Sequence, residues 1–490
     1  MSRLSGLDSR RARYGWPMFR SVALAVVVAS LLAAGAASAP ARPPLLVGAV
    51  TPELLDASLA TNTIGLLREA NLGDVARVTV TWQRGQTSID PGLLGDLNTG
   101  IALARAAGVE VYLDVYPNGS SQTPRTASAQ DDFAAWVASI VSGVPTVRNV
   151  IVGNESNLNL FWMPQFGRGG QDLAAPSYEH LLAKTYDAIK RVAPKVQVIG
   201  GALAHSGTDR PGTGRDTHSP ATFIVDMGKA YRASGRTRPI MDAFAYHPYM
   251  ERSDLRPTMR HDPRSKTLTI ADYGRLVSAL GRAFDHTKQK GTTLPLAYDE
   301  FGVEARVPAA QRAGYTESEP RSTHPVTEAT QAKYYADGLK LAACQPTVRA
   351  FMVFRLIDSP FLSSWQSGVY YQDRQTAKTS LSAVAAAARR ARTTSPTGCA
   401  KLLAPRAIVD WKRRTVLCDA DCRYEAVYLR QPGGAVGATV RGTATASIAA
   451  RIPSPKRIRN GRYRIRIRAS AVDYRADAFV VTSPPVSVRR

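Results

Sequence analysis

The strongest constraint on this chain is an alternation. From about residue 45 to residue 392, short runs rich in β-branched and aromatic residues trade places with Ala-rich amphipathic stretches. Eight such runs lie at 45–50, 75–82, 110–116, 149–152, 196–200, 241–246, 294–298 and 350–357. Helical candidates fall between them, at 131–141, 177–192, 220–233, 270–289 and 328–343. Strands regularly followed by helices predict a parallel sheet, because neighbouring parallel strands need a long crossover and a helix is the compact one. Eight such units in about 350 residues are the right number for a (β/α)₈ barrel, placed here at 42–392. A doubly wound open sheet is the competing layout. Its first turn is usually Gly-rich, and Gly48-Ala-Val-Thr-Pro is not.

The two ends read differently. Arg3, Arg10, Arg11, Arg13 and Arg20 precede an apolar, Ala-rich run at 22–37. That pattern predicts an export signal over 1–41, cut after Ala41 or Ala37, and hence a secreted protein that can remain at the cell surface. An uncleaved membrane anchor is the alternative, though the run is short for a span. At the other end, 393–399 reads as a linker, and 400–490 as a small β-sandwich-like accessory domain. Its alternating runs lie at 414–418, 424–430, 438–449, 462–469 and 478–481. Asn460-Gly461 predicts a two-residue hairpin between Arg-Ile-Arg and Arg-Tyr-Arg-Ile-Arg-Ile-Arg. Four cysteines suit an oxidising compartment and allow three pairings, of which Cys344–Cys399 with Cys418–Cys422 is favoured.

Charge separates the two regions further. The chain carries a net +24, and 401–490 holds 19 Lys/Arg against 6 Asp/Glu, or +13. A solvated basic face is the plain reading of this excess; an anionic cell-envelope polymer is the partner it would suit. No zinc-finger, RNA-recognition or basic-zipper pattern accompanies the charge, which argues against nucleic acid. Metal-ligand spacings, phosphate loops, dinucleotide fingerprints and nucleophilic-serine elbows are also missing, so no metal or cofactor is expected.

In a barrel, the loops after the strand C-termini build the active site. The fourth run ends in Gly153-Asn154-Glu155-Ser156-Asn157, the sixth in Tyr246-His247-Pro248-Tyr249 and the seventh in Asp299-Glu300-Phe301-Gly302. Two carboxylates three strands apart on a small ring would face each other across its mouth. Double displacement at a glycosidic bond needs such a pair.

Asn154-Glu155 on strand 4 with Glu300 on strand 7 resembles the 4/7 glycoside hydrolase clan (clan A), especially families 5 and 39. Arg77 resembles that clan's strand-2 arginine, His247 and Tyr249 its His-x-Tyr after strand 6, and Trp365 its aromatic platform after strand 8. The resemblance implies a retaining hydrolase of β-linked glycans or glycosides. It makes Glu155 the acid/base and Glu300 the nucleophile. It also pairs Asn154 with the sugar 2-hydroxyl, sets Tyr249 against the nucleophile, and makes a carbohydrate the substrate. Two positions depart from the clan's pattern: Ser156 stands where Pro is commonest, and Asp299 where Thr is usual. A catalytically silent carbohydrate-binding barrel at the envelope is the alternative, and the presence of both glutamates weighs against it.

Overall fold

The computed structural model describes residues 43–393 and 396–488. The leader read at 1–41 lies outside the described residues. No helix among the described residues is long and apolar enough to cross a membrane.

Eight parallel strands close into a barrel in sequence order. They are β1 (Leu46–Val50), β2 (Val75–Trp82), β3 (Glu110–Pro117), β4 (Asn149–Val152), β5 (Gln197–Ala204), β6 (Ala243–His247), β7 (Leu296–Phe301) and β8 (Val348–Val353). Helices α1 (Ala57–Glu69), α2 (Pro91–Ala106), α3 (Ala127–Gly143), α4 (Ala174–Val192), α5 (Pro220–Ala233), α6 (Tyr273–Phe284), α7 (Glu328–Cys344) and α8 (Leu381–Ala391) form the outer ring. Several helix starts are written locally. Asp90 and Ser219 cap α2 and α5 just ahead of Pro91 and Pro220, while Thr126 and Thr327 accept from the first turns of α3 and α7. These side chains satisfy amides that a helix start leaves unpaired, and proline has no amide to leave unpaired.

Each strand presents one set of side chains inward. Val75, Ile151, Ile199, Ala245, Ala297 and Met352 belong to the small cluster filling the barrel. The opposite faces join the helices in one large apolar core. This packed interior closes the bottom of the barrel and leaves chemistry to the strand C-termini.

Beyond a short helix, α9 (Cys399–Leu402), the chain turns to antiparallel sheets. A three-stranded sheet holds β9 (Ala407–Asp410), β10 (Thr415–Cys418) and β13 (Ala450–Arg451). The second sheet holds β11 (Cys422–Arg430), β12 (Val436–Ala444), β14 (Gly461–Ala471), β15 (Phe479–Thr482) and β16 (Val486–Val488). Val416, Tyr424, Ile452 and Ile467 share the core between them. Disulfides join Cys344 to Cys399 and Cys418 to Cys422.

One expectation fails here. Asn460-Gly461 does not close a two-residue hairpin: Gly461 starts β14, and the preceding strand, β13, pairs with β10 in the other sheet. Pro453 and Pro455 lie between them. Neither can donate to a ladder, so the chain crosses between sheets instead of folding back on itself.

Candidate active site

β4 ends at Val152, and the chain then turns sharply. Gly153 takes φ +96°, and a Cβ there would lie 2.6 Å from the Tyr178 ring. Glu155 itself sits in the left-handed region at φ +41°, held by its N–H to Ala202 O at 2.7 Å. A non-glycine residue kept there needs surroundings that over-determine it. The turn aims Glu155 across the barrel mouth.

Glu300 arrives from the end of β7. Tyr249 Oη donates to its Oε2 at 2.8 Å, and Arg77 Nη1 donates to its Oε1. Arg77 comes from β2, and both its terminal nitrogens are engaged. Its Nη2 donates to Asp114 Oδ2 at 2.6 Å and to Asn154 Oδ1 at 3.0 Å, while its Nε faces Asp299 Oδ2 at 3.4 Å. With Oδ1 taken, the amide NH₂ of Asn154 is the group left to donate. His247 joins the two sides: Nδ1 lies 3.0 Å from Glu155 Oε1 and 3.5 Å from Glu300 Oε2, and Nε2 lies 3.3 Å from Asp299 Oδ2.

Charge is balanced locally. Burial opposes a charge on Arg77, but Asp114, Glu300 and Asp299 outweigh it and hold the guanidinium well above its ordinary range. Burial also opposes charge on His247, and Glu300 and Asp299 again prevail, so the imidazole is held protonated. Burial of Asp299 is outweighed by His247 and Arg77, which keep its carboxylate ionised. Asp114 behaves differently. Burial, helped by Asp299 and Glu300 and only partly offset by Arg77, pushes it up to about 7. Burial and the Glu300 charge hold the Tyr249 phenol well above its usual range, so it remains a donor.

Above these groups lies a cavity of about 460 Å³. Arg77, Asn154, Glu155, Tyr249, Glu300 and Trp365 all line it, as the sequence reading places them. His247 sits beneath, touching both glutamates. Trp365 packs 5.1 Å from Tyr249 and edge-on to Phe354 at 5.3 Å. Glu155, His247 and Glu300 each offer one ligand-type atom within 4.8 Å of the others. With both ring nitrogens facing carboxylates, His247 is placed as an imidazolium donor rather than a lone-pair ligand.

Sequence reasoning missed several residues here. Asp114 is the clearest: a lone carboxylate inside an apolar strand, visible as Leu113-Asp114-Val115, where a charge needs a buried partner. Tyr116, His205 and Glu251 also line the cavity. Burial pushes His205 down to about 4, leaving it neutral. Glu251 is tied to His261 Nε2 at 2.8 Å, whose Nδ1 meets Asp272 Oδ2 at 2.8 Å. Those two carboxylates raise His261 to about 9. Nothing in the spacing of these residues announced a cluster.

No family model matches the chain, and no curated protein matches it significantly. Among solved structures it is similar to a GH5_18 protein from Streptomyces cattleya in complex with GlcNAc. The identity is 16%, covering 73% of this chain and 82% of that one, with a TM-score of 0.49. It is similar also to a GH39 enzyme from Xanthomonas axonopodis pv. citri, at 14% identity over 84% of this chain and 93% of that one, TM-score 0.46. A third is a calcium-binding mutant of Bacteroides uniformis β-glucuronidase 2, at 12% identity over 91% of this chain, TM-score 0.46. The match covers 45% of that enzyme, so this chain spans less than half its length.

Proposed function

We propose that this protein is a retaining glycoside hydrolase that cleaves a β-linked glycan or glycoside, with Glu155 as acid/base and Glu300 as nucleophile. One observation carries the reading: carboxylate oxygens of Glu155 and Glu300 lie within 4.8 Å of each other. Double displacement uses carboxyl groups about 5–5.5 Å apart, whereas inversion needs roughly 6.5–9.5 Å to admit a water between them. The partners of the two residues support different roles. Glu300 accepts from Arg77 and Tyr249, which suits an anion that must attack. Glu155 is the less enclosed of the two and faces the cavity.

In the first step, a Glu300 oxygen would bond to the anomeric carbon as the glycosidic C–O bond breaks. The proton of Glu155 would pass to the departing oxygen. In the second, Glu155 would take a proton from water as that water's oxygen displaces Glu300 from the same carbon. Asn154 would donate its amide to the 2-hydroxyl, and Trp365 would underlie the sugar ring. The imidazolium of His247, shared between the glutamates, would limit their mutual repulsion as the proton moves. The two disulfides support an oxidising compartment, in keeping with the export signal read at 1–41.

The test is Glu155→Ala. Turnover of substrates with poor leaving groups should fall by about 10²–10⁴-fold, and activated aryl glycosides far less. Azide should then rescue the activated substrate by attacking the exposed glycosyl-enzyme, giving a glycosyl azide of unchanged anomeric configuration. Equal losses on both substrates without rescue, or an inverted first product by NMR, would overturn the reading.

A further inference from the structure

The outer face of the C-terminal sheet carries a second feature that the barrel chemistry does not use. β14 reads Gly-Arg-Tyr-Arg-Ile-Arg-Ile-Arg-Ala-Ser-Ala. Tyr463, Ile465, Ile467 and Ala469 are buried in the core between the sheets, and Arg462, Arg464, Arg466 and Arg468 are exposed on the other side. Side chains two apart on a strand stand about 6.8 Å apart. That lies inside the screening length of about 8 Å at physiological salt, so these four cations repel one another.

Among the described residues, no ion pair offsets them. Glu425 on β11 lies opposite Arg468 in register, yet its carboxylate is taken by Arg441 of β12 at 2.6 Å. Among the described residues, none of the four β14 arginines has a carboxylate partner, and neither does Arg423 on β11. Exposed hydroxyls flank the row: Thr439 and Thr443 on β12, Thr482 on β15 and Ser487 on β16. Arg462 stands across from Ser487, and Arg466 from Thr482. At the start of the row, Arg430, Arg457 and Arg459 line a cavity of about 540 Å³ with Tyr463 and Ile458.

We infer that this face is a docking surface for an acidic polysaccharide, which it binds through carboxylates on the row of guanidinium groups and through hydroxyls on the flanking Thr and Ser. The planar guanidinium fork fits a carboxylate with two parallel hydrogen bonds, which the ammonium of lysine cannot match. No aromatic side chain is exposed among these arginines, which removes the stacking surface that single-stranded nucleic acid uses. The polymer held here need not be the bond cleaved in the barrel. Arg77, the one Lys or Arg among the residues lining that cavity, is already paired with Asp114, Asp299 and Glu300, so the lining offers no free cation with which to choose an acidic sugar.

The experiment uses the full chain on immobilised polygalacturonate, with binding read separately from any turnover. The wild type should be retained at low salt and released near 1 M, where the screening length falls to about 3 Å. Joint substitution Arg462→Gln, Arg464→Gln, Arg466→Gln and Arg468→Gln should weaken binding by about tenfold or more. Melting temperature should not fall, since all four side chains are exposed and their mutual repulsion is relieved. If that variant fails to fold, Arg464→Gln with Arg466→Gln serves, with a proportionate loss. Undiminished binding by a folded variant would overturn the assignment. So would equal retention on a neutral glucan, or binding of polyphosphate or single-stranded DNA as tight as that of polygalacturonate. A chain that docks but cleaves no glycoside would refute the function proposed for the barrel and leave this one standing.

Discussion

Asp299 precedes Glu300 at the position where the resembled clan usually has Thr, and its surroundings account for the departure. The carboxylate is buried against His247 Nε2 and Arg77 Nε, 3.3 and 3.4 Å away. It is therefore one of the carboxylates that keep His247 protonated, together with Glu300 and Glu155. Asp299→Asn keeps the shape and removes that charge. Burial then disfavours the imidazolium with less to oppose it, so the His247 titration should fall from well above its ordinary value toward the neutral range. The sign is definite: the variant should lose activity on the alkaline side, where the wild type still holds the proton. A kcat/KM profile against pH would show a new alkaline limb. An unchanged profile would mean that Asp299 serves packing alone. The glutamates, His247 and Tyr249 were legible because each sits at or near a strand's C-terminal end with a recognisable neighbour, whereas Arg77, early in β2, was read only through the resemblance. Asp114 and Asp299 act through burial and pairing, of which the sequence shows only the hint of a lone carboxylate within Leu113-Asp114-Val115.

At the scale of elements, the strands were readable because two-sided burial makes most of them apolar runs, and all eight barrel strands overlap runs so identified, although β5 and β7 continue past theirs to Ala204 and Phe301. Helices were less even. α2 contains Gly92, Gly95 and Gly100 and shows little of the contrast between faces that periodicity needs. β9, β13 and β16 have four residues or fewer, too short for alternation to show. α4 illustrates a different failure. It is plainly amphipathic, yet Glu179 stands among its buried residues, beside Tyr178, Leu181 and Leu182, and both carboxylate oxygens lack a hydrogen-bond partner. Burial pushes this carboxyl up to about 7, with Arg236 opposing only in part. A folded-state value raised above the unfolded one means that the folded chain holds the proton longer. The associated stability is complete below about 4.5 and is lost as pH rises through about 7. Glu179→Gln removes that dependence. The melting temperature of the variant minus that of the wild type should therefore be greater at pH 8 than at pH 5. A difference independent of pH would place the ionised carboxylate in a better-solvated setting than its contacts suggest.

The relation between barrel and C-terminal sheets is the property of the whole molecule that reading along the chain misses, because a Pro/Gly-rich segment suggests independent modules. α6 is buried almost all round, including Arg275 and Ser278. A barrel helix ordinarily turns one side to solvent; here the C-terminal sheets cover it. Ser278 Oγ donates to Asp421 at 2.7 Å, Arg282 to Ala446 O at 3.1 Å, and Tyr273 packs on Tyr474 at 5.5 Å. Gly274 permits the close approach, since a Cβ there would lie 2.6 Å from that of Ala420. Arg260 binds Leu402 O, Ala404 O and Asp419 together, and Cys399 is tied to Cys344 at the end of α7. Ending the chain after residue 405 would keep the disulfide and remove everything else that covers α6. Tyr273, Gly274 and Ser278 would then face water, and Arg260 would lose its Asp419 partner. Because the segment after α6 leads directly into β7, which carries Glu300, looseness there reaches the site. The truncated chain should melt about 5 °C or more below the full chain, associate on size-exclusion chromatography, and turn over a small soluble glycoside more slowly. If it instead stays monomeric with unchanged melting temperature and kcat/KM, the barrel is complete without its C-terminal sheets, and their contacts on α6 contribute nothing to its stability.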